Sequence, residues 1–206
     1  MRKPRLLDIG CGAGGCSAGY AKYFDVTGLD IHSQPHYPYP FIQADMLDYP
    51  LAGYDAYHLS APCQAYSKLN AIWKKSYPAL LPAMRKRLQA TGKPYIIENV
   101  LGAPIEQGVK LCGSMFGLHV LRHRWFEGSM LLYSPGPCQH KGTVRNGYYL
   151  TVAGHGDASH TYTRANVGRA MGISWMSVQE MTQAMPPVYT AWLAPQLLAY
   201  IESEAA

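Results

Sequence analysis

The sequence predicts an α/β fold in which helices cover both faces of a mostly parallel β-sheet. Short apolar runs alternate along the chain with stretches of helical spacing, and the first apolar run leads into a glycine-rich turn. This alternation is typical of βαβ units, which build parallel sheets. We expect a single domain over residues 1–206, with a small irregular insertion at about 126–175.

Apolar runs bounded by glycine or proline mark the predicted strands, and residues at helical spacing mark the helices. The predicted strands are Arg5–Ile9, Val26–Ile31, Asp55–Ser60 and Pro94–Val100. The predicted helices are Ser17–Phe24, Leu80–Ala90, Met176–Ala184 and Ala191–Glu204. From about Gly128 to His160 no period is sustained, which predicts irregular structure there.

Composition limits the class of protein. The hydrophobic fraction of 48% predicts a sizeable core and argues against a disordered chain. The net charge of +5 is compatible with a polyanionic partner. No apolar run approaches the roughly 18 residues that a membrane helix needs, so we expect no membrane partner. Five cysteines without a C-x-x-C pair, and no signal peptide, favour a reducing, cytoplasmic location.

The segment "DIGCGAGG" forms the predicted glycine turn after the first strand. Gly10, Gly12 and Gly15 satisfy the pattern G-x-G-x-x-G, and Asp30 follows twenty positions after Gly10. Glycines let the backbone approach a ligand, and such an acid can accept hydrogen bonds from ribose hydroxyls. A nicotinamide dinucleotide and S-adenosylmethionine both fit. Asp8 favours S-adenosylmethionine, because a carboxylate before the glycines suits a cationic amino-acid end better than a pyrophosphate.

A further acid, Asp45, lies in "QADM", fifteen residues after Asp30. It could accept a hydrogen bond from an adenine amino group. A solvated loop aspartate is an alternative of nearly equal weight.

Cys63 and Glu98 each lie at the predicted carboxyl end of a strand, the edge where ligands bind in open α/β sheets. A thiol and a carboxyl at neighbouring strand ends suit methylation of cytosine at carbon 5, a position too electron-poor to take a methyl group directly. Addition of a thiolate at carbon 6 makes carbon 5 nucleophilic, and a carboxyl at ring nitrogen 3 assists that addition. The alternative is that Cys63 is a small core residue and Glu98 a structural ion pair.

Other polar groups are weaker candidates. Arg122 and Arg124 would share one face of a strand and could aim together at an anionic or carbonyl-rich ligand. The basic and aromatic residues of Lys68–Lys93 could follow phosphates and stack on bases, or form an ordinary solvated helix face. One group of possible metal ligands has spacings that fit no strong zinc pattern, so we expect no metal: Cys138, His140, His155 and His160.

Five segments, in this order, resemble motifs of the DNA (cytosine-5) methyltransferase family. They are "DIGCGAGG", "APCQAYS" (Ala61–Ser67), "ENV" (Glu98–Val100), "RHR" (Arg122–Arg124) and "QAMPP" (Gln183–Pro187). The resemblance implies the Rossmann-like fold of class I S-adenosylmethionine-dependent methyltransferases, with S-adenosylmethionine as cofactor. It implies DNA, duplex or single-stranded, as partner.

The resemblance also implies roles for individual residues. Cys63 would be the nucleophile, and Glu98 would engage cytosine nitrogen 3 and the exocyclic amine. Asn99 would brace the catalytic loop, and Arg122 and Arg124 would hold the base and order that loop. The residues implied at the cofactor site are Asp8, Gly10, Gly12, Gly14, Asp30, Ile31, Asp45 and Pro62.

The chain departs from the family pattern at four motif positions, with Gly10 for phenylalanine, Ala61 for proline, Val120 for glutamine and Gln183 for asparagine. Only 58 residues separate Arg124 from Gln183, too few for the family's usual target-recognition domain. A free pyrimidine nucleotide therefore remains an alternative substrate. A non-catalytic DNA-binding relative and a nicotinamide oxidoreductase are further alternatives, and we expect a monomer.

Overall fold

The structure is a computed structural model that describes residues 2–66, 77–152 and 162–204. The strands are β1 (Arg5–Ile9), β2 (Asp25–Asp30), β3 (Phe41–Gln43), β4 (Ala56–Ser60), β5 (Tyr95–Asn99), β6 (Gly108–Leu111) and β7 (Arg124–Gly128). The α-helices are α1 (Gly15–Tyr20), α2 (Leu81–Ala90), α3 (Arg164–Met171), α4 (Val178–Gln183) and α5 (Pro187–Glu204). None of the helices in these ranges is both long and apolar enough to cross a membrane.

The strands form one mostly parallel sheet in the order β3-β2-β1-β4-β5-β7-β6, in which β7 runs antiparallel to both of its neighbours. The central strands β1, β2, β4 and β5 are parallel, so their carboxyl ends meet at one edge. Ser60 at the end of β4 pairs with Glu98 in β5. The loop that follows β4 therefore begins directly beside Glu98.

Successive residues of the buried strands pack on opposite faces of the sheet, as the two-residue period of a strand requires. Leu6 packs with α1 and α5, whereas Leu7 packs with α2 on the other face. A third apolar cluster joins α3 and α4 to Ala13 in the glycine turn. The prediction of helices on both faces of a mostly parallel sheet is confirmed.

Within the region expected to be irregular, the structure contains a helix, α3. The Thr163 hydroxyl accepts a hydrogen bond from the Asn166 N–H at 3.2 Å, and Gly172 ends the helix with a φ of 70°. The last helix, α5, begins at Pro187 rather than at Ala191. Proline suits the first turn of a helix, because its missing N–H has no partner there in any case.

Two arginines of the basic segment Lys68–Lys93 point into the molecule rather than towards solvent. Arg85 is buried and donates two hydrogen bonds of 2.7 Å to Glu127 on β7. Arg87 donates to the carbonyls of Met46 and Tyr49. The guanidinium groups of these two residues are thus engaged within the protein, whereas Lys68, Trp73, Lys74 and Lys75 lie outside the described residues.

Candidate active site

A cleft of about 710 Å³ opens at the carboxyl edge of the sheet, a volume in the range typical of small-molecule sites. The glycine turn and the end of β2 form one part of its wall. The loop after β4, together with Glu98 and Arg124, forms another part, and residues of α4 and its flanks close the third side.

The glycine turn is held close to both neighbouring strands. Gly10 has a φ of 71°, and a Cβ placed on it would lie 2.4 Å from the Ser60 carbonyl oxygen. The Gly12 N–H donates to Asp30 Oδ2 at 3.0 Å, and the His32 N–H donates to Asp30 Oδ1 at 2.9 Å. A carboxylate has about four acceptor positions, so Asp30 can orient the turn and still accept hydrogen bonds from a ligand.

The residues that the sequence predicted for a cofactor site divide into two groups. Five of them line the cleft, namely Gly10, Gly12, Asp30, Ile31 and Pro62. Asp8, Gly14 and Asp45 are not among the residues of its wall. The Ile31 side chain is 53% exposed beside Asp30, which leaves an apolar surface free at this end of the cleft.

Asp8 lies beneath the glycine turn and is fully buried. Its Oδ2 accepts a hydrogen bond from the Ser17 hydroxyl, whereas its Oδ1 has no hydrogen-bond partner among the described residues. Burial raises the pKa of Asp8 to about 7, because a desolvated carboxylate is unfavourable; the Ser17 hydrogen bond opposes this shift, and the charge of Asp30 adds to it.

The contacts of Gly14 and Asp45 are with neighbouring residues of the protein. Gly14 begins α1 with a φ of 90°, and a Cβ there would lie 3.0 Å from the Tyr37 ring. Asp45 Oδ1 accepts from the Leu47 N–H at 2.8 Å, as in a turn stabilised by an aspartate side chain. The next residue, Met46, lines the cleft instead of Asp45.

At the other end of the cleft, Cys63, Glu98 and Arg124 come together. Arg124 Nη1 donates to Glu98 Oε1 at 3.1 Å, and Cys63 lines the cleft close enough to Arg124 to influence the pKa of its guanidinium. Burial of Arg124 acts to lower its pKa, but Glu98 and Cys63 outweigh that effect, so the pKa of Arg124 is raised. The thiol and the carboxyl therefore lie within the reach of one guanidinium, on the same side of the sheet.

Asn99 is buried at the end of β5 and joins it to the loop that carries Cys63. Its Nδ2 donates to the Ala61 carbonyl oxygen at 3.0 Å, and its Oδ1 accepts from the Val100 N–H at 2.8 Å. Both ends of the amide are therefore satisfied, and its orientation is fixed.

Arg122 lies outside β7, the strand that begins with Arg124. It precedes β7 with a φ of 33°, a left-handed conformation that breaks strand alternation. Its guanidinium donates to the Val152 carbonyl at 2.5 Å and to the Thr182 carbonyl at 2.9 Å. Burial and the neighbouring Arg124 lower the pKa of Arg122 to about 10. Arg122 therefore connects two segments of the protein and does not line the cleft.

Sequence reasoning assigned no role in the site to the wall formed by α4. Its residues at the cleft are Ser177, Gln179, Glu180, Thr182, Gln183, Ala184 and Met185. Ser177 and Glu180 form a capping box, in which the Glu180 N–H donates to the Ser177 hydroxyl at 3.3 Å and Glu180 Oε2 accepts from the Ser177 N–H at 2.6 Å. The S-x-x-E pattern could have located this helix start from sequence.

No protein-family model and no curated protein sequence matches the chain. Among solved structures, the chain is similar to S. pombe Dnmt2 methyltransferase, with a TM-score of 0.62, 13% identity, and 97% of this chain and 99% of that chain covered. It is similar to Entamoeba histolytica methyltransferase EhMeth, with a TM-score of 0.60, 12% identity, and 98% and 99% covered.

The chain has the Rossmann-like methyltransferase fold. A weaker similarity joins it to a DNA modification methyltransferase of an E. coli prophage, with a TM-score of 0.46, 18% identity and 60% of this chain covered. The chain spans 45% of that protein's length. The fold prediction made from the sequence is confirmed by the sheet order and by the two similarities with TM-scores of 0.62 and 0.60.

Proposed function

We propose that the protein transfers a methyl group from S-adenosylmethionine to carbon 5 of cytosine in DNA, with Cys63 as the nucleophile. One observation carries the proposal: Cys63, Glu98 and Arg124 meet in a cleft whose other end is the glycine turn and Asp30. A nucleophile, an acid and a cation beside a nucleotide-type turn form a site suited to methylation of a base.

The residues of the cleft fit S-adenosylmethionine. Asp30 has acceptor positions left for ribose hydroxyls, and the exposed side chain of Ile31 offers an apolar surface to an adenine ring. A Cβ placed on Gly12 would meet nothing within 4 Å, so the backbone is open to the ligand there. When bound, S-adenosylmethionine supplies an electrophilic methyl group.

Cys63 would act on the cytosine ring as a thiolate. It forms a bond from Sγ to carbon 6, and the electrons of the 5,6 double bond make carbon 5 nucleophilic. Glu98 Oε1 is held by Arg124, so we assign Oε2 to ring nitrogen 3, where a hydrogen bond or a proton draws electrons from the ring. Arg124, which lines the cleft with Cys63 and Glu98, would help to hold the base between them.

Carbon 5 takes the methyl group, and its proton then leaves to solvent. The electrons of that C–H bond restore the 5,6 double bond, and the bond from carbon 6 to sulfur breaks with its electrons returning to Cys63. Asn99 would keep the Cys63 loop in place through the Ala61 carbonyl during both steps.

A free pyrimidine nucleotide is the second candidate substrate, and the short segment between Arg124 and Gln183 favours it. Only 58 residues separate Arg124 from Gln183. The described part of that region packs against the glycine turn through Val152, Val167 and Met171, which share an apolar cluster with Ala13. A free nucleotide would need neither a recognition domain nor the few kcal/mol that removing a base from a duplex requires.

Methyl transfer from radiolabelled S-adenosylmethionine tests these assignments. Duplex DNA, single-stranded DNA and deoxycytidine monophosphate are offered separately to the wild type, Cys63→Ser and Glu98→Gln. Glu106→Gln is the matched control, because its carboxylate is 66% exposed and belongs to an ion pair outside the cleft.

We expect incorporation into DNA, abolished in Cys63→Ser, reduced on the order of 100-fold in Glu98→Gln and unchanged in Glu106→Gln. Incorporation into the nucleotide alone would support the second substrate. Incorporation into none of the three, by protein that binds the cofactor, would contradict both candidates.

A further inference from the structure

Four side chains that can bind a soft divalent metal lie together outside the cleft. They are Cys112, His123, Cys138 and His140, and their candidate ligand atoms all lie within 4.8 Å of one another. Cys112 directly follows β6, and His123 directly precedes β7. Cys138 and His140 belong to the segment that follows β7. The cluster thus joins three parts of the chain.

The distances in this cluster agree with those around one tetrahedral ion. Cys112 Sγ lies 3.5 Å from His140 Nε2, and Cys138 Sγ lies 3.4 Å from His123 Nε2. Zinc binds sulfur at about 2.3 Å and imidazole nitrogen at about 2.0–2.1 Å, which places a sulfur and a nitrogen ligand about 3.6 Å apart at the tetrahedral angle. Both of these sulfur–nitrogen pairs already stand at nearly that separation, and all four ligand atoms lie within 4.8 Å of one another.

A hydroxyl next to the cluster is placed to support a thiolate ligand. Ser114 Oγ lies 3.2 Å from Cys112 Sγ and accepts a hydrogen bond from the Gln139 N–H at 3.1 Å. A metal-bound thiolate has no proton to donate, so the Ser114 hydroxyl would donate its proton to the sulfur. Hydrogen bonds of this kind orient and stabilise metal ligands.

The burial of the four residues suits a structural site that a metal ion can enter from one side. Cys112 is fully buried, His123 and Cys138 are half-buried, and His140 is exposed. Four protein ligands would fill a tetrahedral ion and leave no position for substrate, which is the arrangement of structural rather than catalytic zinc.

We propose that Cys112, His123, Cys138 and His140 bind one structural Zn²⁺ ion. Two thiolates and two imidazoles in tetrahedral geometry select zinc over magnesium or calcium, which prefer oxygen ligands. The ion would tie the segment after β7 to the adjoining ends of β6 and β7. This inference does not depend on the proposed function, because none of the four ligands lines the cleft.

The test is to purify the full chain with reductant and without chelator, and to measure its metal content by inductively coupled plasma mass spectrometry. We expect about one zinc per chain. When cobalt replaces zinc, the protein should show the ligand-field bands of tetrahedral cobalt and a thiolate-to-cobalt charge-transfer band. Addition of a chelator should lower the melting temperature, because metal that binds only the folded state stabilises it.

Variants then test the ligand set. His140→Ala is the main variant, because an exposed side chain can be removed without unfolding the core, and Cys138→Ser is the second. In both variants, the thiolate-to-cobalt charge-transfer band should disappear or shift. Addition of a chelator should no longer lower their melting temperature. Cys63→Ser and His32→Ala are the matched controls outside the cluster and should keep one zinc.

Three results would overturn the proposal. The first is reduced protein that contains no zinc and takes up neither zinc nor cobalt. The second is metal retained with an unchanged spectrum in His140→Ala and Cys138→Ser but lost in His155→Ala or His160→Ala. The third is a disulfide between Cys112 and Cys138 in metal-free protein that persists in the reductant. Failure of methyl transfer would leave the metal content unchanged, so the two proposals are tested separately.

Discussion

Arg124 is the residue that brings the candidate nucleophile and the candidate acid to one point. Its guanidinium is 14% exposed, forms an ion pair with Glu98 and interacts electrostatically with Cys63. A buried guanidinium needs acceptors for its donors, and Glu98 supplies one of them. The same pairing leaves the second oxygen of Glu98 available to a base. The chemistry proposed for the cleft therefore depends on the geometry of one salt bridge.

Asp8 gives a prediction at the residue scale. Burial raises its pKa from 3.8 to about 7, so the folded chain binds this proton more tightly than the unfolded chain. The stability that the neutral form contributes is present below about pH 4 and is lost as pH rises through about 7, a loss on the order of 4 kcal/mol. Asp8→Asn removes this dependence.

The measurement is urea unfolding between pH 4 and 8. The unfolding free energy of Asp8→Asn minus that of the wild type should increase with pH across this range. Asp48→Asn is the control, an exposed loop aspartate whose difference from the wild type should stay flat. A difference for Asp8→Asn that is flat, or that falls with pH, would show that the buried carboxyl is not protonated near neutrality.

The candidate site was predictable where a residue follows a strand. Cys63 and Glu98 each follow an apolar run, so their meeting at one edge of the sheet follows from parallel strand order. Strand alternation was the wrong basis for pairing Arg122 with Arg124, because Arg122 lies outside β7 in a left-handed conformation and donates to the Val152 and Thr182 carbonyls. No residue type in "RHR" signals that conformation. The roles given to the two arginines stay predictions.

The glycine turn between β1 and α1 gives a prediction at the scale of an element. Gly10 and Gly117 both have a φ of 71°, but a Cβ at Gly10 would lie 2.4 Å from the Ser60 carbonyl, whereas one at Gly117 meets nothing within 4 Å. Gly117→Ala should lose only about 1–2 kcal/mol of unfolding free energy, the strain of the left-handed conformation. Gly10→Ala should lose that amount and about 1–3 kcal/mol more from crowding against β4.

Denaturant unfolding of the two alanine variants measures this difference directly. The two backbones share the same φ, so the excess loss in Gly10→Ala isolates the close approach of the turn to Ser60. Equal losses in both variants would mean that the turn does not pack against β4 as described.

Elements with a long apolar run were predicted to within a few residues, and shorter elements were missed. β6 and β7 have few apolar residues and depend on pairing with β5 and with each other. α3 has Gly168 in its interior, a poor helix former, and is stabilised by its Thr163 cap and by apolar packing of Val167 and Met171. Such elements are fixed by tertiary contacts that single-sequence patterns do not contain.

The four residues of the proposed zinc site could not be grouped from the sequence for the same reason, because tertiary contacts bring them together. Cys138 and His140 are two residues apart, but Cys112 and His123 lie far from them in the chain. Only the pairing of β6 with β7 brings Cys112 beside His123. Two residues that the sequence grouped with Cys138 and His140, namely His155 and His160, lie outside the described residues.

At the scale of the whole molecule, the carboxyl-terminal third supports the amino-terminal glycine turn. The Trp175 indole N–H donates to the Ala13 carbonyl at 2.8 Å, and Ala13 lines the cleft. Trp175→Phe removes this hydrogen bond and retains an aromatic ring. We expect the affinity for S-adenosylmethionine to fall about threefold to tenfold, the range for loss of one hydrogen bond.

Isothermal titration calorimetry with S-adenosylmethionine measures that change. Trp192→Phe is the matched control, because its indole also donates to a carbonyl, that of Tyr133 at 2.7 Å, and neither residue lines the cleft. The control should bind with wild-type affinity. Equal affinities in both variants would show that the contact with Ala13 does not order the turn.

The most direct test of the account is covalent capture of Cys63 by DNA that contains cytosine fluorinated at carbon 5. With fluorine at carbon 5, no proton is there to be removed after methyl transfer. The bond from carbon 6 to sulfur therefore cannot break. With S-adenosylmethionine present, we predict a stable adduct on Cys63, located by mass spectrometry of its peptide and absent in Cys63→Ser. Methyl transfer to ordinary cytosine by a protein that forms no such adduct would contradict the account.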